Sequence, residues 1–366
     1  FAYSDVSHEH VMHQASRVLA AGADFGLVGP DRTMLRSTKP VISVCAVRTG
    51  AGKSGVSRRI WELLADAGLN AVDIRHPMPY RDLTRMRVER YASIEDLDRL
   101  NVTIEEREEY EHLIAVGATV FAGVDYEAIL RAAEQEADVI VWDGGNNDMP
   151  FIRPDLEVVV LDPHRAGHER LYHPGEVNFL RADVLVINKA DTAESSAVAR
   201  LAAAAALHNP DAVVVRTASH VVADDPAALS GKRVLVVEDG PTVTHGGMGF
   251  GAGYIAAERA GAAGFADPRP HAAGTLAETF SAYPHLTKVL PAMGYSDAQL
   301  SDLEATIAAT PCDVVVVGTP IDLSRLIRID RPVVRVTYSS ADMGSPSLPE
   351  VVSAFITEHL PDLPRR

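Results

Sequence analysis

From Pro40 onward, short apolar runs alternate with longer mixed stretches. That rhythm predicts strands and helices in turn, as in a mostly parallel sheet covered by helices. Val41 to Val47 reads as a buried strand, and Lys53 to about Ala67 as the helix after it, stopped by Gly68. Further strands are predicted at Asn70 to Ile74, Thr119 to Phe121, Val139 to Trp142, Val158 to Leu161 and Val184 to Ile187. Val213 to Val215, Val234 to Val237, Val314 to Val317 and Val333 to Val336 continue the series. The fold class is therefore α/β, with mostly parallel, doubly wound sheets.

Two stretches break the rhythm. Near the start, Tyr3 to Asp5 reads as a strand end, His8 to Ala21 as a helix and Phe25 to Val28 as a second strand. This has the form of the last βαβ unit of an α/β domain that begins further upstream, and predicts a longer natural protein. Between Arg75 and Gly117 lie about forty residues with no obvious core strand. Thr103-x-x-Glu106 there has the pattern of a capping box. The helix it starts carries Glu105, Glu106, Glu108, Glu109 and Glu111, expected as a solvated acidic face, with a cation site as the alternative. An excursion of this size suits a lid or switch. With a break near Gly231-Lys232, three parts are expected: 1–38, the remnant of an N-terminal α/β domain; 39–231, a nucleotide-binding domain; and 232–366, a C-terminal α/β module.

Length supports more than one domain: 366 residues exceed what one core usually organises. A hydrophobic content of 47% with 23% charged residues is that of a globular chain, and no apolar run approaches a membrane span. The net charge of −16 argues against non-specific binding to nucleic acid or to an anionic membrane. It leaves a phosphate ligand open, because such sites use local backbone N–H groups and a few cations. Two cysteines, Cys45 and Cys312, make no disulfide framework, and a cytoplasmic setting is the natural reading.

The sharpest chemistry follows the first strand. In Arg48-Thr49-Gly50-Ala51-Gly52-Lys53-Ser54-Gly55 the two loop glycines let the backbone curl so that successive N–H groups face a phosphate. Lys53 can reach the β- and γ-phosphates, and the Ser54 hydroxyl can bind Mg²⁺. Val47 stands where the general phosphate-loop pattern has its first glycine. Asp143 ends an apolar strand and suits the carboxylate that holds Mg²⁺, followed by the flexible Gly144-Gly145-Asn146-Asn147-Asp148, which could sense a γ-phosphate. Asp73, ending the second strand with Arg75 nearby, is a candidate for the metal or the attacking group. Asn188-Lys189-Ala190-Asp191, about 135 residues beyond the loop, lies where a base is read. The Asp191 carboxylate can accept from N1–H and N2–H₂ of guanine, which favours GTP over ATP.

Other polar clusters remain open in role. Asp162-Pro163-His164-Arg165-Ala166-Gly167-His168, with Arg170, His173 and Glu176 after it, could be a substrate loop using Arg165 and His164. The alternatives are an ordinary loop or, less favoured, a metal held by His164 and His168. Glu238 to Gly253 is glycine-rich, and Thr244, His245, Gly246 and Gly247 could form a second anion site. Asp267-Pro268-Arg269-Pro270 and Gly318-Thr319-Pro320-Ile321-Asp322 lie at strand ends, where open α/β sheets gather ligands.

The phosphate loop resembles the variant found in the class that includes MinD and the metallochaperone GTPases, in which a residue at the Arg48 position often reaches a partner subunit's phosphates. That resemblance implies a homo-oligomer. Together with Asp143-Gly144-Gly145-Asn146, Glu238-Asp239-Gly240-Pro241-Thr242, Thr244-His245-Gly246-Gly247 and Gly318-Thr319-Pro320, the loop is similar to the cyclic 2,3-diphosphoglycerate synthetase family, in its branch of predicted GTPases. The resemblance implies a Mg²⁺-dependent P-loop enzyme that uses GTP or ATP for phosphoryl transfer to a small anionic metabolite. In that reading Lys53, Asp143, Arg48, Asp73, Arg165 and His164 are catalytic. The nucleotide is held by Thr49 to Gly55, Asn188, Lys189, Asp191 and the Thr244 to Gly247 turn, and the metal by Ser54, Asp143 and Asp73. The rival expectation is a GTPase switch acting on a protein partner.

Overall fold

The structure, a computed structural model, describes residues 6–76, 78, 80–145, 148–294 and 296–361. They form two compact units. Unit 1 holds the described residues of Phe1–Ala92, Val116–Ser219 and Ser340–Arg366, and unit 2 holds Ser93–Ala115 and His220–Ser339.

In unit 1 the strands lie in the order Val213–Ala223 (its first half), Val184–Ile187, Leu156–Leu161, Val41–Ala46, Val139–Asp143, Ala71–Arg75, Thr119–Ala122 and Glu89–Tyr91. All neighbours are parallel except Glu89–Tyr91, which closes the edge antiparallel to Thr119–Ala122. The central strand is apolar on both sides because both faces are covered. Val41 and Cys45 face one core with Ile129, Leu130, Phe179 and Leu201 from helices. Ile42, Val44 and Ala46 face the other, with Val56, Ile60 and Leu64 of the helix Lys53–Asp66. Leu348, Val352 and Phe355, at helical spacing on Leu348–His359, complete that second core.

In unit 2 Arg233–Asp239 has Gly264–Phe265 and Leu290–Ala292 on one flank and Val314–Val317 on the other, with Val333–Asp342 beyond, all parallel. Val234 to Val237 and Val314 to Val317 fill its core with Ala257, Leu276, Leu303 and Ile307.

Several expectations are corrected. Phe25 to Val28 forms no strand: Gly26 lies inside the run, Gly22 and Gly29 flank it, and Leu27 and Val28 are exposed. The helix His8–Ala20 follows the short strand Val6–Ser7, which pairs antiparallel with Tyr172–His173, so among the described residues no βαβ unit precedes Pro40. Tyr3 to Asp5 lie outside the described residues. The stretch after Arg75 supplies an edge strand and two helices, Ile94–Leu100 and Ile104–Ile114. The capping box of Thr103 and Glu106 is present, but the acidic face is not solvated: Glu105, Glu106, Glu108 and Glu111 are buried within unit 2. The units also divide the chain otherwise than 1–38, 39–231 and 232–366, since Ser93–Ala115 joins unit 2 and the last helix joins unit 1. Among the described residues no helix is long and apolar enough to cross a membrane.

Candidate nucleotide site

The loop between Val41–Ala46 and Lys53–Asp66 turns on two left-handed glycines, Gly50 at φ +76° and Gly52 at φ +95°. Gly52 caps the helix without a side-chain bond, so the first N–H groups of Lys53–Asp66 are presented as in an anion site. Thr49, Ala51, Lys53 and Gly55 are buried, and Ser54, second in the helix, is half-buried.

Lys53 turns its ammonium onto the Asp143 carboxylate at the end of the neighbouring strand. One helical turn on, the Ser57 hydroxyl donates to the same Asp143 oxygen at 2.9 Å. Arg75, the register partner of Asp143 on the next strand, pairs with its other oxygen. All four side chains are buried. A carboxylate at this depth stays ionised only with such compensation. Asp73, two residues before Arg75, is buried on the same strand. The expected sensor stretch is described at Gly144, Gly145 and Asp148, while Asn146 and Asn147 lie outside the described residues.

Asn188 and Lys189 meet the loop itself. The Asn188 amide donates to the Ala51 carbonyl at 3.0 Å and accepts from the Thr217 hydroxyl at 2.9 Å. Lys189, at φ +55°, donates to the Gly50 carbonyl at 2.5 Å and pairs with Asp162 at 3.1 Å. Burial alone would raise the Asp162 carboxyl, but Lys189 and Arg165 outweigh it and hold the group below its ordinary range. Burial pushes the Lys189 ammonium down despite Asp162. Asp191 is exposed and accepts the Ser219 N–H at 3.1 Å.

The polar loop after Leu156–Leu161 is tied to the phosphate loop rather than shaped as a metal site. Arg48 bonds His168 at 2.7 Å and stacks 3.7 Å over the Tyr172 ring. Arg165 pairs with Asp162 at 3.0 Å, and His164 bonds the Thr192 hydroxyl at 3.0 Å. His164 and His168 sit on separate short turns, Pro163–Arg165 and His168–Arg170, and share no helix face. Among the described residues no three His, Cys, Asp or Glu side chains converge as metal ligands. Sequence reasoning missed Ser57, Thr217, Ser219 and the anchoring role of Asp162. Only Ser57 had a usable signal, its place one turn after Lys53.

In unit 2 the glycine-rich turn spends donors on its own chain. The N–H groups of Gly251, Gly253 and Tyr254 bond the Glu238 carboxylate at 3.0, 3.2 and 2.8 Å. The Thr244 hydroxyl donates to the Gly240 carbonyl at 2.7 Å, Gly247 N–H to the Thr244 carbonyl at 3.0 Å, and Gly246 N–H to the Pro241 carbonyl at 2.9 Å. His245 bonds the Tyr283 hydroxyl at 3.2 Å. The anion position at the start of the helix Ala252–Arg259 is thus filled from within by Glu238.

No family model matches the chain. It is 57% identical over 355 residues to the arginine synthetase ArcE of Thermococcus kodakarensis, a match covering 97% of this chain and 79% of that protein. Among solved structures, the apo form of LpxK from Aquifex aeolicus in complex with ATP superposes with a TM-score of 0.52 at 13% identity, covering 95% of each chain. The hydrogenase maturation factor HypB of Archaeoglobus fulgidus gives a TM-score of 0.32 at 18% identity, over 57% of this chain and 88% of that one.

Proposed function

The chain belongs to the arginine synthetase ArcE family and is a P-loop enzyme of the nucleotide-dependent synthetase kind, and from that premise we propose that it couples NTP cleavage to building a guanidino-type C–N bond on a small charged metabolite. The observation that carries the reading is the buried junction of Lys53, Ser57, Arg75 and Asp143 under a glycine loop braced by Asn188 and Lys189. Such a junction activates a terminal phosphoryl group, and the activated oxygen of an acceptor then leaves when an amine nitrogen takes its carbon.

In this reading the loop from Thr49 to Gly55 holds the phosphates, and Lys53 moves from Asp143 to the transferring group. Arg75 stays on Asp143 and balances its charge. Mg²⁺ fits the donor set, since the Ser54 hydroxyl and the buried Asp143 carboxylate are hard oxygen donors, with Asp73 close along the sheet. When bound, the ion would neutralise charge on the β- and γ-phosphates. Arg48, fixed by His168 and Tyr172, lies beside the loop to stabilise phosphoryl oxygens. Arg165 and His164 flank Asp162 and would orient the acceptor. Asn188, Lys189 and Asp191 favour guanine, which makes GTP the proposed nucleotide and ATP the rival.

The resemblance to the cyclic 2,3-diphosphoglycerate synthetase family points to the same kind of activated phosphoryl intermediate on an anionic acceptor. The relative's name directs the choice of acceptor toward arginine chemistry. One exchange experiment separates these. A synthetase runs backward, so L-arginine, NDP and labelled phosphate with Mg²⁺ should yield labelled NTP, more from GDP than from ADP, and none with Lys53→Ala. Exchange with 2,3-diphosphoglycerate chemistry but not with L-arginine would move the acceptor to phosphoglycerates. Slow GTP hydrolysis indifferent to every small molecule would sink the synthetase reading in favour of a protein-directed switch.

A further inference from the structure

Unit 2 carries carboxylates that the nucleotide chemistry leaves unused, gathered at one place in its sheet. Asp239 is the last residue of Arg233–Asp239, and Thr319 lies just past Val314–Val317. These parallel neighbours send the chain in opposite directions, one toward Gly264–Phe265 and the other toward Val333–Asp342 on the far flank. The crevice outside the carboxyl ends of two such strands is where open α/β sheets take their ligands.

Into that place the helix Ile104–Ile114 sends Glu108 and, one turn earlier, Glu105. Glu108 is 4% exposed and Glu105 3%. One Glu108 oxygen accepts from the Thr319 hydroxyl at 2.6 Å, and after burial the neighbouring Asp239 carboxyl is the next cause that pushes Glu108 up. Its other oxygen, Oε2, is buried and receives no N–H or O–H donor. Glu105 repeats the arrangement: Oε1 accepts the Gly294 N–H at 3.0 Å, and Oε2 is buried without a donor. Asp239 is held from its far side by Thr242, whose N–H donates at 3.1 Å. Among the described residues no lysine or arginine pairs with Glu105, Glu108 or Asp239. Arg107, on the same helix, is engaged by Asp98 and Glu111.

We propose that the Glu108–Asp239 pair, with Glu105 beside it, binds a cationic nitrogen group, a guanidinium or primary ammonium, of an amino-acid substrate. The proposal rests on the synthetase reading above and adds where the charged nitrogen is recognised. Buried carboxyls without a counter-charge are costly, and burial accordingly raises Glu105 to about 7 and lifts Glu108 and Asp239 above their ordinary values. A flat guanidinium supplies the missing donors two at a time. Phosphate finds no cation here to offset its charge, and no three-residue metal group is present among the described residues.

The test is titration calorimetry of the whole chain with L-arginine, beside the same titration with a non-hydrolysable GTP analogue. Glu108→Gln and Asp239→Asn keep shape and remove charge. They should weaken L-arginine about tenfold or more and leave the analogue's affinity as in the wild type. Thr319→Val, which removes only the hydroxyl donor to Glu108, should weaken L-arginine less and guards against a folding defect in the other two. L-arginine affinity within twofold of wild type in all three variants overturns the proposal, as does a wild-type chain that binds neither L-arginine nor L-lysine. If the wild type binds L-arginine, the variants lose it, and yet no arginine-dependent phosphate exchange occurs, the site stands and the synthetase reading falls. If exchange proceeds with an unchanged KM for L-arginine in the variants, the reading stands and the site falls.

Discussion

The Asn188 side chain donates to the Ala51 carbonyl at 3.0 Å, and through this bond the end of Val184–Ile187 braces the phosphate loop from behind. A β-carbon added at Gly52 would lie 2.1 Å from that same amide nitrogen. Residue 52 is also left-handed, at φ +95°. The loop therefore admits only glycine there, for space and for backbone conformation alike.

Gly52→Ala is expected to push Asn188 off the loop and to weaken nucleotide binding about a hundredfold or more, since the loop's donors lose their common aim. Fluorescence titration with a labelled nucleotide analogue measures it. Affinity within threefold of wild type would show that Asn188 gives way at little cost.

At Asp143, two cations converge on a fully buried carboxylate, and they should differ in what they do. Arg75→Met leaves the pair short of one buried charge and should cost on the order of 3 kcal/mol of stability by urea denaturation. Lys53→Met should cost less stability, because Ser57 and Arg75 remain on Asp143, while abolishing phosphate exchange. Equal stability losses with activity retained in Lys53→Met would contradict the assigned roles.

Base selection is expected to hang on Asp191. Asp191→Asn replaces one acceptor with a donor facing the guanine N1–H, so kcat/KM for GTP should fall about tenfold or more while that for ATP holds. A parallel fall for both nucleotides would mean that Asp191 acts only through its bond to the Ser219 N–H.

Stability should decline as pH rises toward neutrality. Burial raises Glu105, Glu157 and Glu238 to about 7, against an ordinary 4.5. Between those values the folded chain binds more protons than the unfolded chain, so each group contributes stability that is full below about 4.5 and lost as pH passes 7. Each contributes on the order of 3 kcal/mol. Asp162, held low, acts in the opposite sense, and only at more acidic pH. The urea midpoint should therefore be higher at pH 5 than at pH 7.5, and a midpoint that climbs across this range would refute the assignment.

The glycine loop, its strand and its helix were legible because each rests on local chemistry: φ-permissive glycines, an apolar run and helical spacing. Val184–Ile187 and Val314–Val317 were placed to the residue for the same reason. What escaped depended on distant partners. Nothing near Glu105 or Glu108 in sequence says that Gly294 and Thr319, about 190 and 210 residues on, will bury them. Periodicity gave Leu348–His359 an apolar face but not its destination against Ile60 and Leu64. Phe25 to Val28 had the composition of a strand, yet strand formation needs a neighbour to pair with. Glu238 shows the same limit in another form. A glycine-rich turn before a helix promises an anion site, and only the folded chain reveals that an internal carboxylate has taken it.

The chain passes between its two units four times, at Ala92/Ser93, Ala115/Val116, Ser219/His220 and Ser339/Ser340. For a protein made from its N-terminus on a ribosome, this fixes an order of events. Ser93–Ala115, which carries Glu105 and Glu108, must wait through about a hundred residues of the other unit before its own sheet begins to emerge. The nucleotide-binding unit in turn keeps Ile60 and Leu64 uncovered until the final helix is synthesised. Unit 2 has all its parts once Ser339 has emerged and unit 1 only with the final helix, so both should mature late and in close succession, and no single cut in the gene could deliver either one alone.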